Sequence, residues 1–317
     1  MRLLFVTALL MMPACLTQCD GASFGHSSID AVGSMHGGEM SHGAARGDMT
    51  PPAGAAAPAV VGIDWPEGGA YGTLEILFEP EKETTFANAD PMPSITNFGA
   101  LTLDLTRILL SGQPQYQSPC SVGPSMACAY FDGGDRLQDS GVRATLAILH
   151  DGTGASCYLI TEPSSASGAT ANVVTTQTVN PGNRWSFTSS TTDRLASLIT
   201  NAASTVVNRP TAGTGLQDQT WGYAWSFGMS QDPDFVSEYW GVGAPTGPTG
   251  NVSAAVSTAD PGAALAVGTQ AAIDVATGGS PYTGSLFAFA CYSSTHTATE
   301  FAGVKAAVEA RTGALPQ

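Results

Sequence analysis

Trp221-Gly222-Tyr223-Ala224-Trp225-Ser226-Phe227-Gly228-Met229 is the stretch that decides the fold class. Every second residue is large and apolar, and those between are small. A period of two belongs to a β-strand, whose side chains alternate between faces. A helix would scatter the five large residues around its circumference. The stretch therefore predicts a strand with one broad apolar face and one face open to close approach by another layer. Two readings of the broad face follow. In one it fills the core of a sandwich, where buried indole N–H groups still find acceptors. In the other it meets water and stacks flat ligands such as sugar rings, because exposed aromatic rows mark binding surfaces. The second reading makes Trp221, Tyr223, Trp225, Tyr239 and Trp240 the candidate ligand-binding residues. Asp232-Pro233 is then expected to start a short helix carrying Phe235, Tyr239 and Trp240.

Working outward, strand-like runs recur. They are Val60 to Ile63, Thr73 to Glu79, Leu101 to Thr106, Val142 to His150, Ser156 to Thr161, Val173 to Val179 and Trp185 to Thr188. Gly, Pro, Ser and Asp clusters separate them, as turns require. Three stretches predict helices. Ser190 to Val207 places Leu195, Leu198, Ile199, Ala202 and Val206 on one helical face. Asp260 to Thr277 opens with an Asp-Pro pair and ends before Gly278. Thr297 to Thr312 opens with a capping box, Thr297 with Glu300, and stops at Gly313. Together these predict a mostly β (α+β) domain over residues 58–317. It is an antiparallel, β-sandwich-like domain with two or three peripheral helices. No repeat of about 20 to 50 residues is visible, which argues against solenoids and propellers.

The composition narrows the partners. Of 317 residues, 43% are hydrophobic, enough for a substantial core. Eleven Lys plus Arg face 26 Asp plus Glu, a formal net charge of -15. Such a surface repels phosphate backbones, so nucleic acid is not an expected partner.

Arg2 precedes an apolar run from Leu3 to Met12, the length of a signal-peptide core and far short of the roughly 20 residues that span a bilayer. Residues 1–19 thus predict a signal peptide and an exported protein. Met12-Pro13-Ala14-Cys15 and Leu16-Thr17-Gln18-Cys19 both resemble the bacterial lipobox, which implies a lipid anchor on Cys15 or Cys19. Cleavage after Gly21 and free secretion is the alternative. The expected places are the outer membrane or periplasm, the cell surface, or the medium. Residues 20–57 are rich in Gly, Ala, Ser and His and predict a disordered tether, because they hold too little apolar surface to offset ordering entropy.

Past Cys19 there are four cysteines, an even count that in an exported chain favours disulfides. Cys120 and Cys128 bracket a loop carrying Gly123 and Pro124, so they are expected to pair. Cys157 and Cys291 then pair with each other.

Candidate chemistry is sparse. Gly33 to Gly43 resembles the Met/His-rich segments of periplasmic copper-resistance proteins, with Met35, His36, Met40 and His42 as soft ligands for copper. Asp132, Asp135 and Asp139, or Asp232, Asp234 and Glu238, offer oxygen ligands for calcium. Neither set matches the EF-hand loop, and solvated loop carboxylates are the simpler expectation. Ala224 to Gly228 matches a variant nucleophile elbow around Ser226, with Asp260 or Asp274 and His296 following in hydrolase order. No phosphate-binding loop or dinucleotide fingerprint occurs. The leading expectation is an exported, non-catalytic binding or interaction protein whose partner is a glycan or another envelope component. Metal handling by the tail and serine hydrolysis through Ser226 are the alternatives.

Overall fold

The computed structural model describes residues 62–107, 112–121, 123–139, 148–149, 154–164, 170–176, 184–190, 194–200, 205–208, 218–227, 235–239, 264–268 and 281–315. The strands in chain order are β1 (Leu74–Phe78), β2 (Ser94–Thr96), β3 (Asp104–Arg107), β4 (Gln115–Gln117), β5 (Cys128–Asp132), β6 (Leu137–Asp139), β7 (Ala155–Pro163) and β8 (Thr170–Thr175). They continue with β9 (Arg184–Ser190), β10 (Arg194–Thr200), β11 (Thr205–Asn208), β12 (Trp221–Phe227), β13 (Phe235–Tyr239), β14 (Ala266–Val267) and β15 (Thr283–Tyr292). The one α-helix among the described residues, α1 (Ala298–Thr312), closes the described part.

Two antiparallel sheets result. The first runs β13-β12-β7-β15-β5-β4, with β1 also paired to β15. The second runs β11-β10-β9-β8-β14-β6-β3-β2. Alternation sorts the first sheet's side chains between two apolar layers. Phe78, Cys157, Leu159, Tyr223, Phe289 and Cys291 face the second sheet, and they cluster with its Ile95, Leu105, Leu137, Val174 and Val267. Leu77, Tyr158, Ile160, Ala224, Phe287 and Tyr292 face the other way and cluster with Phe301, Val304 and Val308 of α1. The order of layers is sheet, sheet, helix. Every residue of β7 and of β15 is buried, because both faces of these central strands are covered.

The last helix forms as its caps predict. The Thr297 side chain accepts from the Thr299 N–H, the Glu300 carboxylate accepts from the Thr297 N–H at 2.8 Å, and Gly313 ends the helix at φ 77°. Both expected disulfides are present. Cys157 and Cys291 are register partners on β7 and β15, with Cα atoms 4.1 Å apart. Cys120–Cys128 closes the loop that leads into β5.

Several expectations are corrected. The helix expected over Ser190 to Val207 is instead the end of β9 followed by the β10–β11 hairpin. Its Ser, Thr, Val and Ile content suits a pleated surface, and as a strand β10 gains ladder bonds on both edges. Within the helix expected over Asp260 to Thr277, Ala266–Val267 is a strand wedged between β6 and β8. Ala264 to Val267 are four consecutive buried residues, a pattern shared by buried helices and two-sided strands. The short helix expected after Pro233 is replaced at Phe235–Tyr239 by β13, which pairs with β12. One helix of eight residues or more therefore stands among the described residues where two or three were expected. The first expected strand also fails at Ile63, whose N–H bonds to the Glu79 carboxylate at 2.6 Å instead of to a neighbouring strand. Residues 142–147 and His150 of another expected strand lie outside the described residues.

Candidate binding pocket beside β12

Four segments converge where β12 begins. The end of β7 brings Glu162. Asp218-Gln219-Thr220 leads into Trp221, and the Asp218 N–H is fixed to the Pro163 carbonyl at 2.7 Å. The disulfide loop brings Gly123 and Pro124, and the end of α1 brings Thr312, Ala314 and Leu315. They enclose an open cavity of about 460 Å³.

Glu162 organises it. The residue is only 5% exposed. One carboxylate oxygen, Oε2, accepts from the Thr220 hydroxyl at 2.7 Å. Its main-chain carbonyl accepts from the Tyr282 hydroxyl at 3.2 Å, and that hydroxyl is 2.6 Å from Thr161 Oγ1. The second carboxylate oxygen, Oε1, takes no donor among the described residues, and Glu162 lines the cavity. Burial raises the Glu162 pKa above the ordinary carboxylate range. The Thr220 hydrogen bond works against that, and the negative charge of Asp218 adds to it.

Local geometry makes room for this arrangement. Gly123 has φ 73°, and a Cβ there would overlap Thr220 Oγ1 and lie 2.8 Å from Glu162 Oε2. Only glycine lets the disulfide loop close over the pair without covering it. Asp218 takes φ 57°, a left-handed conformation that Asp and Asn tolerate best among residues with a Cβ. Arg311, one residue before Thr312, pairs with Glu81 and donates to the Ser125 carbonyl, which ties the end of α1 to the disulfide loop.

The cavity's volume falls in the range that holds a small ligand. Its wall offers the Glu162 and Asp218 carboxylates, the Gln219 amide and the Thr220 and Thr312 hydroxyls, next to the apolar Pro124 and Leu315. Among the described residues, no Lys, Arg or His lines it. Such a wall accepts hydrogen bonds from hydroxyl groups and disfavours anions.

The residues expected from the sequence are distributed unevenly. Tyr223 is fully buried in the layer between the sheets, so it belongs to the core and not to a binding face. Trp221, Trp225 and Tyr239 hold their places on β12 and β13, but their side chains lie outside the described residues, as does the whole of Trp240. Trp221 directly follows Thr220 of the pocket. Cys15, Cys19, Met35, His36, Met40 and His42 also lie outside the described residues.

The hydrolase arrangement is overturned. Ser226 sits inside the antiparallel ladder, opposite Ser156 and Val236, where an elbow needs a sharp strand-to-helix turn. His296 is a structural residue. It is buried, its Nδ1 lies 2.5 Å from the Tyr158 hydroxyl, and its Nε2 lies 3.0 Å from the Tyr71 carbonyl. Burial lowers its pKa. The expectation of solvated carboxylates also fails for two of the three acids near β6. Asp135 and Asp139 are buried. Asp135 accepts from the Asp132 N–H at 2.8 Å, and burial, with the Asp132 charge adding to it, pushes its pKa up to about 6.

Sequence reasoning missed Glu162, Thr220 and Gly123. The faint signal was Glu162 itself, a carboxylate ending the strongly apolar run from Cys157 to Thr161.

The sequence matches no family model and no curated protein. Solved structures match the fold. The binding domain of botulinum neurotoxin DC in complex with SialylT aligns with a TM-score of 0.52 at 7% identity, covering 75% of this chain and 52% of that one. A botulinum neurotoxin type C structure that reports interaction with two ganglioside molecules aligns with a TM-score of 0.50 at 8% identity, over 74% and 51% of the two chains. The NanB sialidase of Streptococcus pneumoniae aligns with a TM-score of 0.42 at 9% identity, over 55% and 26%. The chain thus spans about half the length of the toxin chains and about a quarter of the sialidase chain. At these identities the likeness is one of fold: a β-sandwich-like architecture of antiparallel sheets.

Proposed function

We propose that this protein is an exported, non-catalytic glycan-binding protein, with the pocket beside β12 as its site. The observation that carries the reading is Glu162. It is a carboxylate almost withdrawn from water, with one oxygen held by Thr220 and no described donor on the other, in the wall of a cavity of ligand size. Burying a carboxylate without a full set of donors is unfavourable. A ligand hydroxyl supplies the missing donor.

The wall's charge selects the ligand. With Glu162 and Asp218 present and no cation among the described residues that line the cavity, the sugar that fits is uncharged. The toxin binding domains lend support at the level of scaffold, since SialylT and gangliosides are glycan ligands held on the same architecture. Two disulfides suit a chain that folds in an oxidising compartment. On this reading residues 1–19 direct export, Cys15 or Cys19 carries a lipid, and residues 20–57 tether the domain to the membrane.

The test is a glycan array probed with the protein and with Glu162→Gln. The wild type is expected to retain neutral glycans over sialylated ones, and the variant to lose about tenfold or more in affinity. Retention of no glycan by the wild type, or equal binding by the variant, overturns the proposal.

A further inference from the structure

We infer that oxidation completes the pocket beside β12: the Cys120–Cys128 bond holds Gly123 and Pro124 in its wall, and the reduced chain has an open site in its place. This regulation rests on the reading above for its ligand. The two disulfides differ in what they join. Cys157–Cys291 links two central strands, and both residues are fully buried. Cys120–Cys128 ties off a surface loop across eight positions. Cys128 opens β5 and is fully buried, whereas Cys120 is 8% exposed, the most accessible of the four paired cysteines. Its Sγ lies 3.5 Å from the hydroxyl of Ser285, and Ser285 is the register partner of Glu162 on β15. The bond therefore sits one strand away from the carboxylate that its loop helps to enclose.

The loop carries the bond's constraint to the pocket. The Gly123 backbone lies against the Glu162–Thr220 pair and the Phe287 ring, with no room for a Cβ, and Pro124 follows it in the cavity wall. Yet Ser121, Gly123 and Ser125 are exposed. Among the described residues, the loop's polar ties are short or lie at the surface. The Cys120 N–H donates to the Met126 carbonyl at 2.8 Å and the Met126 N–H to the Pro124 carbonyl at 2.7 Å. The Ser121 N–H and hydroxyl donate to Gln117 Oε1 at 3.1 and 2.9 Å, and Arg311 donates to the Ser125 carbonyl at 3.3 Å. Cutting the cross-link frees the loop to sample many conformations, and a ligand must then order it at a cost in affinity. Closure is a thiol–disulfide exchange. The Cys120 and Cys128 thiols give up two protons and two electrons, their S–S bond forms, and the S–S bond of an oxidant disulfide breaks to give two thiols. A reducing compartment thus keeps the pocket open, and an oxidising one closes it.

The experiment compares the oxidised full chain with two opened forms. One is the wild type treated with dithiothreitol at a concentration where alkylation maps only to Cys120 and Cys128. The other is the Cys120→Ser/Cys128→Ser double variant. Each is titrated calorimetrically with lactose and chitobiose. Each is also titrated with acid by carbon-13 NMR of its glutamate carboxyls, the Glu162 signal being assigned by its loss in Glu162→Gln. Opening is expected to weaken binding of the neutral probe about tenfold or more. It should also move the Glu162 titration down towards the ordinary carboxylate range, because water reaches a group whose pKa burial had raised. Oxidised glutathione should restore both in the reduced wild type and change neither in the double variant. The Glu162 titration decides the inference: if it does not move on opening, the bond does not close the pocket, whatever happens to binding. Unweakened probe binding in the opened forms overturns the inference as well. If the oxidised wild type binds neither sugar, the glycan reading fails by itself, and the Glu162 titration still decides whether oxidation completes the cavity. Should the double variant fail to fold, the reduced wild type carries the same comparison.

Discussion

Glu79 and Glu162 are buried carboxylates on the same helix-covered side of the first sheet, and they differ in one respect. Both have pKa values raised, with burial as the main cause. Glu79 is closed. Its Oε1 accepts from the Ile63 N–H at 2.6 Å, its Oε2 from the Trp65 indole at 3.0 Å, and Lys82 lies 3.9 Å away. Glu162 has one donor, a negative neighbour in Asp218, and a cavity in front of it. The first arrangement anchors the strandless segment around Ile63 to the end of β1. The second leaves acceptor capacity unspent. Burial alone marks neither as functional; the count of donors separates them.

The largest effect that tests this contrast is on the closed site. Glu79→Ala strands the Ile63 N–H and the Trp65 indole N–H in an apolar layer. It is expected to destabilise the fold by about 3–5 kcal/mol, or roughly 10 °C in melting temperature, without touching glycan affinity. A melt within a degree or two of wild type would mean that Glu79 is not the anchor described.

A middle-sized effect comes from a third buried acid. The folded pKa of Asp135, about 6, lies above its ordinary 3.8. For a raised acid, the stabilising contribution is complete below the ordinary value and is lost as pH rises through the folded one. Wild-type stability should therefore gain between neutral pH and about pH 4 from this group. His296 opposes the trend, because its pKa is lowered and its contribution disappears as pH falls through the folded value. Asp135→Asn keeps an acceptor for the Asp132 N–H and removes the titration. Thermal melts from about pH 4 to pH 7 should show the variant gaining roughly 1–3 kcal/mol over wild type at neutral pH and nothing at the acid end. Parallel curves at all pH values would show that Asp135 does not titrate in this window.

The smallest effect is the most informative for function. Glu162→Gln keeps the Thr220 hydrogen bond and removes a charge that burial disfavours. Its stability should stay within about 1 kcal/mol of wild type, or rise slightly, while binding falls. A loss as large as that of Glu79→Ala would make Glu162 a second anchor, and the contrast would collapse.

How much of this was legible in the sequence follows the range of the interactions. The α1 boundaries rest on contacts three or four residues apart, Thr297 with Glu300 and Glu309 with Gly313, and they were readable. β12 was readable from its alternation, and the core reading of Tyr223 came with it. β10 and β14 were misread because Leu195, Leu198 and Ile199, like Ala264 to Val267, fit both helical and strand spacing, and only neighbouring strands decide between the two. The pocket was the least legible. Glu162 meets Thr220 across 58 positions, and Glu79 meets Ile63 across 16. A glutamate at the end of a strand looks like a solvated one until its distant neighbours are in place. The Cys157–Cys291 bond is long-range too, but four cysteines allow only three pairings, so the short loop between Cys120 and Cys128 was enough.

The Cys157–Cys291 bond has a consequence for the chain as a connected object. It closes a ring of chain spanning 134 positions, and its two ends are register partners on β7 and β15, two strands buried along their whole length. A protease cut anywhere between residues 158 and 290 would therefore yield two pieces that stay covalently joined through the middle of the sheet. In an oxidising compartment, where reductants are scarce, a single nick in a loop between these cysteines leaves the two pieces joined by a covalent bond.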